Sequence, residues 1–325
     1  MSVVFLNPIE IKGFEKRFEV TMHVSVIGPG AVGIFLIQRL LRAGVRAQCV
    51  GRHGPIAVRE TFLAIDGPVE ISLPAGTAQD LAHTDLIFVA VKAFDLATAL
   101  EWTRLARPGT PIIVTVNGAI HKVIEAEQGR RPHLLWRLGS CTYGISRAST
   151  GPFEQRSKLG GIQCGPLKEG ERPTTVEEQL LQLEPEIFTW CPEMITVYRR
   201  KWLYNTVINT LCAVRRLPRN GELLRDLETL SAVFNEAYSL GTQHWGPWLS
   251  DRESLYQGLI QLIEQTQANE NSMARDVRLG RKTESRYLAG LAQNPQLYPL
   301  LTELHEQVEG VRDVTSGTTT KFGSV

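Results

Sequence analysis

The sequence predicts an α/β chain: a Rossmann-type doubly wound parallel sheet followed by an all-α C-terminal domain. Three observations predict it. A β-branched run at residues 23–27 ends in G-x-G-x-x-G, and an apolar helical pattern (Ile34, Phe35, Leu36, Leu40, Leu41) begins at once. Continuous apolar runs at residues 86–91 and 111–116, of the kind that sits inside a parallel sheet, alternate with helical stretches. From about Thr196 to Arg312 the pattern is helical.

The loop Gly28-Pro29-Gly30-Ala31-Val32-Gly33 organises the first domain. Its first glycine makes the tight bend, its second lets the backbone approach a pyrophosphate, and its third lets helix and strand pack closely. The N–H groups and positive dipole end of the helix then face the phosphates. A plain βα turn also uses glycines, but here strand, loop and helix arrive in the order that dinucleotide binding needs. Gly44 ends the helix, residues 46–50 read as the second strand, and its tip is Gly51-Arg52-His53. A free ribose 2′-hydroxyl usually meets Asp or Glu about 20 residues past the loop. Arg52 stands there instead. A guanidinium suits a 2′-phosphate, so NADP(H) is favoured over NAD(H), against the reading of Arg52 as a solvated loop residue.

Residues 62–65 and 69–73 flank Asp66-Gly67-Pro68 and suggest a short hairpin. Residues 134–138 form a further strand ending in Gly139-Ser140-Cys141-Thr142-Tyr143-Gly144, and residues 145–165 read as antiparallel additions to the sheet edge. Ligands of such sheets bind outside the carboxyl ends of the strands. Four loops fall there: the glycine loop, Lys92, Asn117-Gly118 and residues 139–144. Lys92 or Asn117 alone would be an ordinary loop residue; their shared placement makes both candidates for cofactor contact. A polar connector at 166–175, a helix and a last strand near 187–190 complete the domain, whose boundary falls near Cys191-Pro192. The expected organisation is an N-terminal extension (1–21), an NADP-binding domain (22–191), a helical substrate domain (192–312) and a flexible tail (313–325).

A chain of 325 residues is long enough for two cores. Hydrophobic content of 43%, charged content of 21% and a formal charge of +1 are those of an ordinary globular protein, with no field drawing it to nucleic acid or an anionic membrane. No apolar run is long enough to span a membrane, and the charged first residues are not a secretory signal. Five scattered cysteines without a C-x-x-C read as reduced thiols of a cytoplasmic protein. Neither they nor the seven histidines have metal-ligand spacing, so no metal is expected.

The helix starting near Val197 is the informative one. Leu203, Val207, Leu211 and Val214 form its buried stripe, while Lys201, Asn205 and Asn209 fall four apart on a different face. Asparagine is a poor helix former, and a merely wet face would more often hold Lys, Glu or Gln. One ammonium and two amides in a row can orient a small polar molecule. Residues 259–277 read as one long helix carrying Asn269, Ser272 and Asp276 on one side. Gly280 closes it, and Thr283-Glu284 starts the next, where capping alone would explain the acid. Apolar helices such as residues 255–263 fit a homodimer contact and a single-chain core equally well.

With these residues assembled, the chain from about Met22 to near Glu309 resembles the ketopantoate reductase (2-dehydropantoate 2-reductase) family. The motifs are V-I-G-P-G-A-V-G, V-K-A, N-G, K-W-L-Y-N-T-V-I-N-T-L-C-A, N-G-E-L, N-E-N-S-M and T-E. The resemblance implies NADPH-dependent reduction of a 2-oxo acid, 2-dehydropantoate, to pantoate in pantothenate biosynthesis, in a cleft between a Rossmann domain and a helical domain. It implies Lys201 as general acid, with Asn205, Asn209, Asn220 and Ser272 holding the substrate beside it. It implies Gly28, Pro29, Gly30, Ala31, Val32, Gly33, Arg52, Lys92, Asn117, Ile145 and Glu284 as the NADPH site. An unperturbed lysine is charged at neutral pH, as protonating an alkoxide requires. Two departures bear on substrate scope: Asp95 stands where a glutamine often follows V-K-A, and Ala119-Ile120 follows Asn-Gly in place of the more usual x-Gly. A related reductase of another 2-oxo acid would share the same groups. A non-catalytic NADP(H)-binding regulator would be marked by loss of the lysine or the glutamate, and both are present.

Overall fold

The structure is a computed structural model that describes residues 22–51, 58–64, 67–147, 152–156 and 160–316. The extension at 1–21, Arg52 and residues 317–325 lie outside the described residues.

The first half runs β1 (His23–Ile27), α1 (Ala31–Arg42), β2 (Arg46–Val50), β3 (Val58–Ala64), β4 (Gly67–Leu73), β5 (Ala75–Gly76), β6 (Leu86–Val89), α2 (Leu96–Trp102), β7 (Pro111–Val114) and α3 (His121–Arg130). It continues through β8 (Leu135–Cys141), β9 (Ile145–Arg147), β10 (Phe153–Gln155), β11 (Ile162–Pro166), α4 (Thr175–Leu183) and β12 (Phe188–Trp190). Among the described residues the main sheet has the order β12-β11-β8-β7-β6-β1-β2-β5, parallel throughout except where β11 meets β8. The period of two decides which side each residue buries. Val24, Val26, Leu86 and Phe88 pack with α1 and α4, whereas Ile27, Ile87 and Val89 pack with α2 and α3 on the other side.

The hairpin forms as expected, β3 against β4, but residues 145–165 do not all extend the main sheet. Only β11 joins it. β9 and β10 join the hairpin in a separate sheet of order β4-β3-β10-β9, with Phe153 opposite Phe62. The cause is apolar: Phe62 and Phe153 are buried with Phe35 of α1, whose ring also lies 4.8 Å from that of Tyr143.

The second half is α5 (Met194–Val214), α6 (Leu227–Trp245), α7 (Arg252–Gln265), α8 (Ser272–Arg278) and α9 (Pro299–Ser316). α5 is its spine. It packs against α6, α8 and α9, while Met194 and Tyr198 at its start join the core beneath the sheet. A helix enclosed this way is buried nearly all round and not along one stripe: from residue 201 to 213, only Lys201, Asn205 and Asn209 escape burial.

The single helix expected at 259–277 is two. α7 stops at Gln265, and α8 restarts at Ser272 after Asn271 caps it, its Oδ1 accepting from the N–H groups of Met273 and Ala274. The intervening Thr266-Gln267-Ala268-Asn269-Glu270-Asn271 is rich in residues whose side chains compete for backbone hydrogen bonds, which explains the break. Leu255, Leu259 and Ile263 sit in the helical core of this same chain, so they are not a face for a second one. α9 runs on to Ser316, past the expected start of the tail. Among the described residues no helix is long and apolar enough to cross a membrane.

Candidate active site

A cleft of about 980 Å³ opens where the carboxyl ends of β1, β2, β6 and β7 face the start of α8. At its sheet end, Gly28 has φ +109°, and a Cβ there would lie 2.8 Å from Val91 Cγ1 and 2.9 Å from the Ala90 carbonyl oxygen. A Cβ on Gly33 would sit 1.9 Å from the carbonyl oxygen of Gly28. Gly33 therefore fits α1 against the loop and does not itself reach the cleft; Gly28, Pro29, Gly30, Ala31 and Val32 line it. Above Gly30 the nearest atom to a Cβ is 3.8 Å away, so the space over its backbone is open. The first turn of α1 carries neither a side-chain cap nor an acid. N–H groups at a helix start that no side chain among the described residues claims, without an acid in the first turn, suit a pyrophosphate, so these residues fit a dinucleotide.

Lys92 lies at the tip of β6, and it is tied to the other half of the chain. Its Nζ is 2.8 Å from Asp276 Oδ2 and 3.6 Å from Glu284 Oε2. Glu284 Oε1 also accepts from the Ala93 N–H at 3.0 Å. Burial opposes the charge on Lys92, but Glu284 and Asp276 outweigh it and raise the pKa above the ordinary lysine value. Glu284 is thus more than a cap: it opens a short 3₁₀ turn, but its carboxylate reaches across to the nucleotide half.

Asn117 and Ile145 line the cleft from the strand ends, and Asn209, Asn220 and Ser272 line it from the helices. Lys201 and Asn205 are set apart. They line a small adjoining cavity of about 10 Å³, shared with Asn117, Gly118, Gly139, Tyr198 and Trp202, with room for one water at most. Lys201 Nζ donates to the carbonyl oxygen of Cys141 at 2.9 Å, and Cys141 in turn lines the large cleft. Burial pushes the Lys201 pKa down, opposed by the charges of Cys141 and Glu284.

The loop after Asn117 is rigidly held. Gly118 has φ +94°, and a Cβ there would lie 2.5 Å from Tyr287 Cβ. Tyr198 Oη donates to the Gly118 carbonyl and accepts from the Ile120 N–H at 2.7 Å. Ala119 donates its N–H to the Tyr287 carbonyl, and neither it nor Ile120 lines either space. This departure from the family pattern therefore does not touch the cleft wall, whereas Asp95 does line it.

Asn220 has one proton of its amide in use: Nδ2 donates to Thr266 Oγ1 at 3.2 Å, and Oδ1 accepts from Cys212 Sγ at 3.8 Å. Asn271 was not among the candidates from sequence, yet its buried amide donates to Asn209 Oδ1 at 2.7 Å. The signal available was its place in a polar run just before a helix start, visible only once the 259–277 stretch is broken in two.

Residues 24–169 match the family model described as ketopantoate reductase PanE/ApbA, and residues 193–293 match that of its C-terminal domain. A 2-dehydropantoate 2-reductase of Vibrio cholerae is 26% identical over 298 residues, covering 89% of this chain and 97% of the relative. That of Pyrococcus horikoshii is 27% identical over 281 residues, covering 83% of this chain and 89% of the relative. Among solved structures, D-mandelate dehydrogenase with NADH and anilino(oxo)acetate has a TM-score of 0.75 at 18% identity, covering 91% of this chain and 99% of that one. A probable 2-dehydropantoate 2-reductase of Bacillus subtilis has 0.71 at 21%, covering 89% of this chain and 100% of that one. A dimeric ketopantoate reductase of Staphylococcus aureus has 0.68 at 17%, covering 90% and 99%. At these identities the structures speak for the fold.

Proposed function

The chain belongs to the ketopantoate reductase family, and from that premise we propose that it reduces 2-dehydropantoate to pantoate with NADPH, with Lys201 as the general acid. One observation carries the proposal: the only part of the α5 spine between residues 201 and 213 that is not buried is the row Lys201, Asn205, Asn209. A helix buried on every other side that keeps one ammonium and two amides along the remaining row is suited to hold a polar ligand.

The bound dinucleotide would supply hydride to the keto carbon. Everything else falls to the chain. The glycine loop, with Lys92, Asn117, Ile145 and Glu284, would hold the cofactor. Lys201 would hold its proton on Nζ, stabilise the negative charge that develops on the keto oxygen, and transfer the proton to it. An ammonium has three N–H donors, and the Cys141 carbonyl takes one of them. The cavity around Lys201 is too small for a keto group, so on this reading a slight local shift would bring Nζ to the substrate. Asn205 and Asn209 would orient the substrate without adding charge, and Ser272, exposed at the start of α8, would take the carboxylate.

The test is oxidation of NADPH followed by absorbance with 2-dehydropantoate beside other 2-oxo acids. Turnover of 2-dehydropantoate at the highest kcat/KM supports the reading; a strong preference for another 2-oxo acid overturns the substrate assignment while leaving Lys201 in its role. Cytoplasmic location and assembly as a homodimer belong to the same reading. The dimeric Staphylococcus aureus relative supports the latter, and light scattering of the purified chain tests it.

A further inference from the structure

We infer that Asn271 is a positioning residue that fixes the amide of Asn209 with its NH₂ toward the cleft, so that this point of the substrate site recognises only an acceptor oxygen. The inference rests on the reading of the cleft as the substrate site.

The argument is one of donors and acceptors. An amide oxygen accepts and an amide nitrogen donates, and the two ends look alike in shape. For Asn271 the ends are decided by the backbone. The N–H groups of Met273 and Ala274, at 3.0 and 3.1 Å, lie at the start of α8 and can only donate, so the atom they meet must be Oδ1. Nδ2 of Asn271 therefore points the other way, to Asn209, and donates to it at 2.7 Å. The atom of Asn209 that receives this bond must be its oxygen. What remains for the cleft is Asn209 Nδ2, a donor of two protons with no protein partner among the described residues, on a residue that lines the cleft.

The orientation is held firmly because Asn271 is 4% exposed and water does not compete for its bonds. The polarity of the α8 start is thus relayed through two amides to the ligand. A keto, carboxylate or hydroxyl oxygen of a 2-oxo acid satisfies the exposed NH₂, and a group that can only donate does not.

The test uses two variants of the full chain. Asn271→Ser keeps an oxygen to cap α8 but is too short to reach Asn209. Asn271→Asp keeps the cap and turns a second acceptor toward Asn209, which must then flip and show its oxygen to the cleft. In Asn271→Ser the KM for 2-dehydropantoate is expected to rise about fivefold, with kcat within about twofold of the original chain. Asn271→Asp should raise it further. NADPH affinity, read by fluorescence, should hold in both, and any fall in melting temperature should leave kcat in place. Unchanged KM in both variants, or KM, kcat and melting temperature worsening together, would overturn the inference. Should the unmodified chain turn over no 2-dehydropantoate, the substrate reading fails and the relay is still tested by NMR of the free protein. The side-chain amide protons of Asn271, identified by their loss in Asn271→Asp, should exchange slowly, and rapid exchange of both overturns it.

Discussion

Lys201 Nζ donates a 2.9 Å hydrogen bond to the carbonyl oxygen of Cys141, the last residue of β8. This bond links the spine of the helical half to the edge of the cleft and leaves the amine enclosed. Enclosure has a consequence for pH. Burial disfavours the ammonium and sets the pKa of Lys201 below that of a free lysine. A general acid works only when protonated, so kcat for reduction should be flat at low pH and fall as pH rises through a value below the ordinary ~10.4. A pH profile of kcat at saturating NADPH checks this. A falling limb at or above the free-lysine value would contradict it.

Lys201→Ala should lose ~100-fold or more in kcat, the scale usual for a positioned acid. NADPH affinity should be nearly unchanged, because the residue lines the small cavity and not the dinucleotide end of the cleft. Binding by fluorescence and turnover by absorbance separate the two effects.

Much of this site was legible in the sequence because it depends on local rules. The strand-loop-helix order around Gly28 needs only neighbours, and so does the four-residue spacing of Lys201, Asn205 and Asn209. What escaped depends on tertiary packing. The burial of α5 on all sides follows from α6, α8 and α9 arriving from distant parts of the chain. The pairing of β10 with β3 follows from Phe62 and Phe153 closing over Phe35. Lys92 reads as an isolated loop lysine until Asp276 and Glu284, more than 180 residues away, are brought beside it. The helix break before α8 was visible in principle in the polar run at 264–272, but the helical spacing of Asn269, Ser272 and Asp276 concealed the cap at Asn271.

Lys92→Ala should weaken NADPH binding by about tenfold or more, the scale of one charge-assisted contact. It removes the cation and leaves Asp276 and Glu284, with side chains only 11% and 8% exposed, facing the cleft, where they would repel the phosphates of a dinucleotide. Arg52→Ala should act differently. If Arg52 reads the 2′-phosphate, the KM for NADPH rises much more than that for NADH. Lys92→Ala, on the proposed placement beside the shared part of the cofactor, should affect both. Equal effects of Arg52→Ala on the two cofactors would remove it from that role.

The last expectation concerns stability. β8, the strand that ends at Cys141, carries a buried Arg137 whose Nε donates to Glu177 Oε1 at 2.8 Å and whose Nη1 donates to Glu171 Oε2 at 2.5 Å. Arg137 and Glu177 are 3% and 1% exposed, so neither charge can turn to water. The other oxygen of Glu177 accepts from the Thr174 N–H at 2.8 Å and closes the capping box of α4. Removing one partner of a buried pair costs about 3–5 kcal/mol, chiefly because the other charge is left alone. Glu171 remains to meet part of that charge, so Glu177→Ala should cost about 3 kcal/mol, read by urea unfolding. Glu177→Gln keeps an oxygen for Arg137 and should cost clearly less. The folded fraction of either variant should keep its kcat, because the pair lies behind the strand and not in the cleft. A loss of kcat at full folding would place Arg137 in the positioning of Cys141, and so of Lys201.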